Sequence, residues 1–425
     1  MEIAIIITFI LGYLFIMLEH PLNINKAATA LLTGVLCWTL YIISASDSHL
    51  ISEQLKEHIG EISGIIFFLM GAMTIVELID AHDGFDVITN AISTSSKRKL
   101  LCIICFLTFF LSSVLDNLTT TIVMVSLLRK LIANRNDRML FIGMVVIAAN
   151  SGGAWSPIGD VTTTMLWIGG QVSTNNIILN LFIPSLVCLT VPLIIVFFML
   201  KGNIEKPISA NNDDKPSASS FKRNTIFFSG IGILLFIPVF KTITHLPPYM
   251  GMLFGLGLLW LISEFIHKDK DELEKNIYSV RHALRKIDMP CVLFFLGILI
   301  SISALQSTGQ LGQLASLMDE KIGNINFIVI SIGLLSAIVD NVPLVAASMG
   351  MYDLQTYPTD HYFWEFLAYC AGTGGSALII GSAAGVAAMG MEKIDFFWYL
   401  KKVSWLALIG YFAGAFTYIL QHGIF

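Results

Sequence analysis

Residues 112–117 read Ser-Ser-Val-Leu-Asp-Asn, and residues 336–341 read Ser-Ala-Ile-Val-Asp-Asn, 224 positions further along the chain. A longer motif, Ser-Gly-Gly-Ala-Trp-Ser-Pro-Ile-Gly-Asp at 151–160, is matched 222 positions later by Thr-Gly-Gly-Ser-Ala-Leu-Ile-Ile-Gly-Ser at 373–382. Both pairs occur in the same order at nearly the same offset. The chain is therefore predicted to contain two copies of one structural unit.

A polar segment marks the boundary between the two copies. Residues 201–223 are rich in Ser, Asn, Asp, Pro and Lys, a composition typical of a flexible linker. A Phe-Phe-Leu triplet at 67–69 and again at 294–296 is a third, weaker match between the copies. We predict a first repeat over 1–200 and a second over 224–425, joined by a cytoplasmic linker.

The composition defines the class of protein. Of the 425 residues, 55% are hydrophobic and 13% are charged, and the mean hydropathy is +0.77. Soluble domains carry about 25% charged residues, and the apolar residues here fall in runs of about 20, the length of a membrane-spanning helix. The predicted fold class is an all-α polytopic membrane protein. Soluble enzymes, nucleic-acid-binding modules, fibrous proteins and outer-membrane β-barrels are excluded.

The distribution of basic residues predicts the topology, because cytoplasmic loops collect Lys and Arg. If the segments 100–128 and 326–350 are re-entrant hairpins, 22 of the 25 basic residues lie on one side of the membrane. The three others are Lys56, Lys241 and Lys321. This arrangement predicts ten crossings, five in each repeat, with both termini periplasmic. Because five is odd, the two repeats have inverted topology.

Two further apolar segments are interrupted near their middles by small polar residues. The interruptions read Asn-Ser-Gly-Gly at 150–153 and Gly-Thr-Gly-Gly-Ser at 372–376. Glycine permits non-helical backbone and proline removes a helix hydrogen bond. Inverted repeats with interrupted helices are typical of secondary transporters, whose substrates bind near the midplane. The predicted backbone breaks are at Gly152, Gly153, Pro157, Gly374 and Gly375.

Three aspartates lie within the apolar segments, where each costs about 2.5–3.5 kcal/mol. Asp116 and Asp340, each followed by asparagine, lie at the predicted tips of the two hairpins. An Asp-Asn turn can cap a helix, but a cap alone does not require an ionisable group twice at matching depth, whereas a cation or proton site does. Asp160 follows the first break, and its counterpart is Ser382, so this carboxylate is not a by-product of duplication.

Oxygen atoms beside these aspartates are hard ligands that suit a small alkali cation. Glu61 and Glu77, near the two ends of one span, are secondary candidates. His58 and His82 are predicted to lie in loops and to be solvated. The predicted cation- and proton-binding residues are Asp116, Asn117, Asn150, Ser151, Asp160, Thr162, Thr163, Asp340, Asn341, Thr373 and Ser376.

These motifs resemble those of the NhaD-type sodium/proton antiporters of the Ion Transporter superfamily. The segments that carry the resemblance are SSVLDNLTTTIVMVSLLRKL (112–131), IAANSGGAWSPIGDVTTTMLW (147–167), IVDNVPLV (338–345) and AGTGGSALIIGSAAGVA (371–387). The resemblance extends over essentially the whole chain. At Thr373 a serine would be equally natural, and the hydroxyl is kept.

The resemblance implies exchange of Na⁺, often also Li⁺, for H⁺ across a bacterial inner membrane, without enzymatic activity or a cofactor. It points to the same site residues, with Na⁺ at Asp116, Asp340 and their neighbours, and it implies a homodimer. Antiport follows if Na⁺ and H⁺ compete for the same carboxylates, because metal ligation requires deprotonation. The expected partners are Na⁺, Li⁺, H⁺ and the lipid bilayer, and no nucleic acid.

Two other functions stay open. An anion carrier of the same superfamily, for arsenite or a dicarboxylate, is disfavoured by carboxylates at both hairpin tips and by the lack of a buried Lys or Arg to pair with the anion. An intramembrane aspartyl protease would also use two aspartates. Its Gly-x-Gly-Asp pattern is absent, since 157–160 reads Pro-Ile-Gly-Asp, and protease folds lack inverted repeats.

Overall fold

The computed structural model describes residues 2–22, 24–44, 48–89, 92, 94–204, 219–268 and 278–423. Within these ranges the regular structure is helical, and β-type pairing is limited to an isolated antiparallel bridge between Ser96 and Asn203. The prediction of an all-α fold is confirmed. Residues 205–218, the centre of the predicted linker, lie outside the described residues.

The described part of the first predicted repeat folds into a series of helices. These are α1 (Glu2–Met17), α2 (Glu19–Leu22), α3 (Lys26–Ser44), α4 (Ser48–Ala81), α5 (Asp86–Thr89), α6 (Lys97–Leu115), α7 (Asn117–Leu131), α8 (Arg135–Ala154), α9 (Val161–Ile168) and α10 (Thr174–Met199).

The second predicted repeat continues in the same manner. Its described helices are α11 (Ser220–Thr244), α12 (Pro248–Ile266), α13 (Val280–Lys286), α14 (Met289–Ser307), α15 (Gln310–Lys321), α16 (Ile325–Leu335), α17 (Asn341–Met351), α18 (Tyr362–Gly374), α19 (Ala383–Glu392), α20 (Phe396–Lys402) and α21 (Ser404–Gly423).

Eight helices of the described chain are long and apolar enough to cross a membrane, namely α3, α4, α6, α10, α11, α12, α14 and α21. Seven of these are predicted crossings, and α6 belongs to the first predicted hairpin. The remaining predicted crossings are α1, a shorter apolar helix, and the interrupted pairs α8–α9 and α18–α19. The chain is a multi-pass membrane protein.

Large apolar side chains cover the outside of the helix bundle. Leu179 and Phe198 on α10, Phe228 on α11 and Phe416 on α21 are each at least 60% exposed. Exposing apolar surface to water costs about 25 cal/mol per Å², and large apolar patches mark membrane or protein contacts. This surface fits the acyl chains of a bilayer.

The helix breaks lie about one turn later than predicted. α8 stays helical through Ala154, and the first break occupies 155–160. α18 stays helical through Gly374, and the second break occupies 375–382. The prediction of breaks at Gly152, Gly153 and Gly374 is therefore wrong, because glycine permits unwinding but does not force it. Pro157 and Gly375 do lie within the breaks.

Gly152 and Gly374 allow close helix packing instead. A Cβ on Gly152 would lie 2.2 Å from the carbonyl oxygen of Phe109 on α6. A Cβ on Gly374 would lie 2.0 Å from the carbonyl oxygen of Gly333 on α16. Both distances are far shorter than any real Cβ contact, so α8 approaches α6, and α18 approaches α16, only because these positions carry no side chain.

The start of α6 and the end of α7 lie at the same end of the bundle. Lys97 Nζ, at the start of α6, is 2.6 Å from Asp137 Oδ2 in the first turn of α8. Lys130 Nζ, near the end of α7, is 3.5 Å from Asp86 Oδ1, which precedes α6 in the chain. Asp116 alone separates the two helices.

The start of α16 and the end of α17 meet in the same way. Tyr362 Oη, at the start of α18, donates to Asn326 Oδ1 in the first turn of α16 at 2.5 Å. Tyr352 Oη, just after α17, donates to Asp319 Oδ1, which precedes α16, at 3.0 Å. The loop after α17 also contacts the turn between α9 and α10, since Ser173 N donates to Asp360 Oδ1 at 2.6 Å. Asp137 lies in the first turn of α8, whereas Ser173 follows α9. The lengths of α8 and α9 therefore separate this end of the bundle from Asp137.

Candidate cation site

Asp116 joins α6 to α7 in a backbone conformation that residues other than glycine rarely adopt. Its φ of 78° and ψ of 160° fall in a region used almost only by glycine, at a cost of about 1–3 kcal/mol. Its carboxylate accepts hydrogen bonds from Thr119 N at 2.8 Å and from Thr119 Oγ1 at 2.9 Å. The carboxylate therefore caps α7 at its positive dipole end. The surrounding structure holds the backbone of Asp116 in a strained conformation.

The next residue, Asn117, connects this junction to the first helix break. Its Nδ2 donates to Asn150 Oδ1 at 3.0 Å and to Asp160 Oδ2 at 2.5 Å. Asn117, Asn150 and Asp160 are all buried, at 4%, 0% and 1% exposure. Asn117 thus forms one buried polar cluster with two residues from α8 and from the break that follows it.

Asp160 is the centre of this cluster. Its Oδ1 accepts from Thr162 N at 2.9 Å and from Thr162 Oγ1 at 2.7 Å, capping α9. Asn341 Nδ2 donates to the same oxygen at 3.4 Å. Within the described ranges no Lys, Arg or His forms an ion pair with Asp160 or Asp116. A buried carboxylate without a cationic partner requires a proton or a bound cation to offset its desolvation.

The second predicted repeat supplies further ligand atoms to the cluster. Asn150 Nδ2 donates to Ser376 Oγ and to Ser382 Oγ, both at 2.9 Å. Ser382 caps α19 in the backbone conformation that Asp160 adopts before α9, with φ of −146° at both positions. Asn150 on α8 therefore contacts both ends of the second helix break, at Ser376 and Ser382.

Asp340 lies at the start of α17 and has a different partner. Its Oδ1 accepts weakly from Val342 N, at 3.4 Å, and its Oδ2 is 3.4 Å from Lys26 Nζ. The Lys26 ammonium also lies 4.4 Å from the centre of the Phe294 ring. Lys26, the first residue of α3, therefore reaches the tip of the second predicted hairpin. Its side chain is 25% exposed and already pairs with Asp340, so it is not a buried Lys available to pair with an anion.

The other predicted hydroxyl ligands bond to their own helices. Ser151 Oγ donates to Ile147 O at 2.8 Å, and Thr373 Oγ1 donates to Tyr369 O at 2.6 Å. Thr163 Oγ1 donates to the carbonyl oxygen of Asp160 at 2.9 Å. All three side chains are buried. Each hydroxyl uses its proton in this hydrogen bond, so its oxygen lone pairs are available to coordinate a cation.

The two glutamates predicted as secondary candidates do not join the cluster. Glu61 is an exposed carboxylate whose nearest partner is His58, at 3.6 Å. Glu77 forms an ion pair with Lys286 at 3.1 Å. Sequence reasoning places both side chains on α4 correctly, but neither makes a hydrogen bond to Asp116, Asp160 or Asp340 in the described structure.

Two neighbouring cavities lie between the cluster and the basic end of the bundle. A cavity of about 30 Å³ touches Asp116, Asn117 and Asp160, and this volume accommodates one or two water molecules. Leu118 separates it from a wider cavity of about 260 Å³. Among the charged residues in the lining of the wider cavity, the acidic ones outnumber the basic ones, with Glu77, Asp80, Asp83, Asp86 and Asp288 against Lys130 and Lys286. Such a lining concentrates cations.

Sequence reasoning missed three residues of the site. Thr119 could have been found from its spacing, because a residue three after a capping Asp commonly donates to it. Ser382 could have been found from its repeat position opposite Asp160. No local sequence pattern marks Lys26, because its contact with Asp340 depends on tertiary packing. The prediction of two solvated loop histidines is also wrong. His58 lies within α4 and is 17% exposed, and His82, which does follow α4, is fully buried with Nε2 3.0 Å from His267 Nε2.

Comparisons with known proteins identify related transporters. Residues 13–366 match the CitMHS family model, described as citrate transporter. The chain is 50% identical over its full length to sodium/proton antiporter 1 of Arabidopsis thaliana, covering 73% of that protein. It is 49% identical to sodium/proton antiporter 2 of the same plant, over 97% of this chain and 98% of the relative. The Na⁺/H⁺ antiporter NhaD of Alkalimonas amylolytica is 30% identical, over 95% and 87% respectively.

Membrane-spanning helices, two interrupted helices and a buried acidic cluster at their breaks define a secondary transporter and not an enzyme. Sequence identity to sodium/proton antiporters over nearly the whole chain then identifies the family within this class. The chain belongs to the NhaD-type sodium/proton antiporters of the Ion Transporter superfamily, within the CitMHS family.

Proposed function

We propose that the protein exchanges Na⁺ for H⁺ at the buried cluster around Asp160, together with the two hairpin carboxylates of Asp116 and Asp340. The observation that carries this proposal is the environment of Asp160, which is 1% exposed, accepts four hydrogen bonds and has no ion-pair partner among the described residues. Such a carboxylate binds either a proton or a small cation. The relatives named sodium/proton antiporters support the choice of Na⁺ as that cation.

The exchange uses a single site in two states. Na⁺ enters through the acid-lined cavity beside Leu118 and is ligated by carboxylate oxygens of Asp116, Asp160 and Asp340, with the Asn117 and Asn150 amide oxygens. Because ligation requires deprotonated carboxylates, Na⁺ binding releases protons. Protonation from the opposite side then releases Na⁺. We extend the proposal to Li⁺, which has the same charge and also prefers hard oxygen ligands.

The proposed architecture is an inverted repeat of 1–200 and 224–425 around a cytoplasmic linker at 201–223, with α6–α7 and α16–α17 as re-entrant hairpins. Two contacts support the hairpins, because each joins the start of a hairpin to the helix that follows its end. These are Lys97 with Asp137 and Asn326 with Tyr362. Equivalent contacts support the repeat. Ser112 Oγ donates to Ala149 O at 2.6 Å, and its counterpart Ser336 Oγ donates to Ala371 O at 3.1 Å.

The orientation and assembly of the protein complete the proposal. The basic end of the bundle faces the cytoplasm, following the positive-inside rule, so both termini face the opposite side. In a bacterium this membrane is the inner membrane and the termini are periplasmic. A homodimer is proposed from the superfamily resemblance.

One observation favours a second function, transport of an anion. Lys26 lies beside the acidic cluster, and the family model is described as citrate transporter. However, the Lys26 ammonium already pairs with Asp340. Asp116 and Asp160 have no ion-pair partner among the described residues, and two such carboxylates disfavour a multiply charged anion. Na⁺ exchange therefore fits the site better.

The test uses everted vesicles with a fluorescent dye that reports the pH gradient. Addition of Na⁺ is expected to dissipate the gradient, and addition of citrate or arsenite in its place is expected to leave it unchanged. Asp160→Asn, which keeps the shape of the side chain, is expected to abolish the Na⁺ response. Glu61→Gln is the matched control, because that carboxylate lies outside the cluster. Normal exchange by a well-expressed Asp160→Asn protein would refute the proposed site.

A further inference from the structure

Asp116 and Asp340 occupy matching positions before α7 and α17 but differ in how their charges are satisfied. Asp116 accepts two hydrogen bonds from Thr119, three residues later. Three residues after Asp340 the chain has Pro343, which offers neither an N–H nor a hydroxyl. Asp340 consequently keeps only the weak bond from Val342 N at 3.4 Å within its own helix.

Lys26 supplies the missing partner from outside the hairpin. Its Nζ lies 3.4 Å from Asp340 Oδ2, and the two side chains are 25% and 17% exposed. Its ammonium lies over the Phe294 ring, a contact that attracts cations. The lysine also lines a cavity of about 730 Å³ together with Glu19, Asn25, Asp288 and Leu118, and Leu118 borders the cavity of the cluster as well.

The lysine occurs in only one of the two proposed repeats. Lys26 is the first residue of α3, and the residue 222 positions later is Pro248, the first residue of α12. The pairing of Asp340 is therefore not a by-product of duplication. It makes the two hairpin aspartates chemically different, with Asp116 held by neutral donors and Asp340 held by a cation.

We infer that Lys26 is a tethered cation that competes with Na⁺ for Asp340 and thereby lowers the apparent Na⁺ affinity of the transporter. This inference rests on the proposed Na⁺/H⁺ exchange. The ammonium and Na⁺ carry the same charge, so both cannot sit against one carboxylate without mutual repulsion. In this conformation the Lys26 ammonium is paired with the Asp340 carboxylate, and Na⁺ must displace the ammonium to bind there. The competition is between two cations and requires no change in the protonation of Lys26.

The inference predicts a gain of affinity on removing the lysine charge. Lys26→Gln and Lys26→Met are expected to tighten Na⁺ binding about tenfold, the factor that corresponds to about 1.4 kcal/mol. Met also preserves an apolar stem over the Phe294 ring. Lys26→Arg keeps the charge and is expected to show no tightening. Damage to the fold would weaken binding, so a tighter site distinguishes competition from a purely structural role.

The experiment is titration calorimetry of Na⁺ into the purified full-length protein at fixed pH, with choline chloride maintaining the ionic strength. Lys97→Gln is the matched control, because Lys97 pairs with Asp137 at 2.6 Å at similar exposure and lines neither the entry cavity nor the cavity beside Lys26, and its affinity is expected to stay within about twofold of wild type. Unchanged or weaker Na⁺ binding by Lys26→Gln and Lys26→Met overturns the inference, as does tightening by Lys26→Arg. Absence of Na⁺ binding by the wild-type protein would instead overturn the proposed function.

Discussion

Asn150 donates through Nδ2 to Ser382 Oγ at 2.9 Å and thereby joins α8 to the residue that caps α19. The oxygen of the same amide accepts from Asn117 Nδ2 at 3.0 Å. One buried side chain therefore connects the first proposed hairpin to the helix break of the second proposed repeat. This side chain therefore links candidate ligand residues from both proposed repeats.

The first prediction concerns the path of α6 and α7 through the membrane. In a protein without native cysteines, Ser95→Cys and Asn136→Cys are expected to react with an impermeant maleimide from the same side, because Lys97 contacts Asp137 across these ends. Gln313→Cys, on α15 beside the second proposed hairpin, is expected to react from the other side. Labelling of positions 95 and 136 from opposite sides would make α6–α7 a full crossing and remove the inverted symmetry.

A second prediction tests the close packing of the interrupted helices. Gly152→Ala and Gly374→Ala each place a methyl group about 2 Å from a backbone carbonyl oxygen, so each is expected to destabilise the protein by about 1–3 kcal/mol. The measurement is the midpoint of thermal unfolding of the purified protein in detergent.

Gly232→Ala and Gly257→Ala are the matched controls for these two substitutions. Both glycines lie within helices and have open space where a Cβ would be placed. Alanine favours the helix by about 0.5–1 kcal/mol over glycine, so the controls are expected to be neutral or stabilising. Equal unfolding midpoints for all four variants would show that Gly152 and Gly374 have no packing role.

The sequence predicts the composition of the cluster well, because the information is local and repeated. Paired Asp-Asn motifs at a constant offset identify Asp116 and Asp340, and the carboxylate without a repeat counterpart identifies Asp160. The hydrogen bonds of Asn117 with Asn150 and Asp160 then bring these motifs together as expected.

The sequence predicts the helix breaks and the ion pair less well, for two physical reasons. A glycine pair permits both unwinding and close helix packing, and only the neighbouring helix decides between them, as Gly152 against Phe109 illustrates. The pair of Lys26 with Asp340 joins residues 314 positions apart, and no periodicity or spacing encodes such a contact.

A third prediction is that Asp340→Asn abolishes exchange while the protein still inserts and folds. Asparagine keeps the size of the side chain and can still accept from Val342 N, and removing a charge favours insertion. It cannot bind a proton reversibly. Dye dequenching by Na⁺ in everted vesicles measures exchange, and size-exclusion chromatography measures folding.

The control for Asp340→Asn is Asp319→Asn, a carboxylate that accepts from Tyr352 outside the cluster. Exchange by this control is expected to resemble that of wild type. Wild-type exchange by a folded Asp340→Asn protein would leave Asp340 as a helix cap only.

The last prediction is that Na⁺ and H⁺ compete, with Asp116 central to the competition. At low pH the carboxylates hold protons, and Na⁺ binds weakly because ligation requires their removal. As pH rises, the apparent Na⁺ affinity is expected to increase about tenfold per pH unit for each proton displaced, and to level off once the carboxylates, which titrate jointly, are deprotonated. Half-saturating Na⁺ measured in vesicles between about pH 6 and 9 tests this dependence.

The backbone of Asp116 dictates which variants make this test informative. Its φ of 78° and ψ of 160° suit glycine, so Asp116→Gly removes the carboxylate without added strain, whereas Asp116→Ala loses exchange for two reasons at once. Asp116→Gly is expected to abolish exchange in a folded protein, and Asp116→Glu, which keeps the charge, is expected to retain exchange with altered Na⁺ affinity. An affinity independent of pH, together with exchange by Asp116→Gly, would contradict a shared Na⁺ and H⁺ site and favour anion transport.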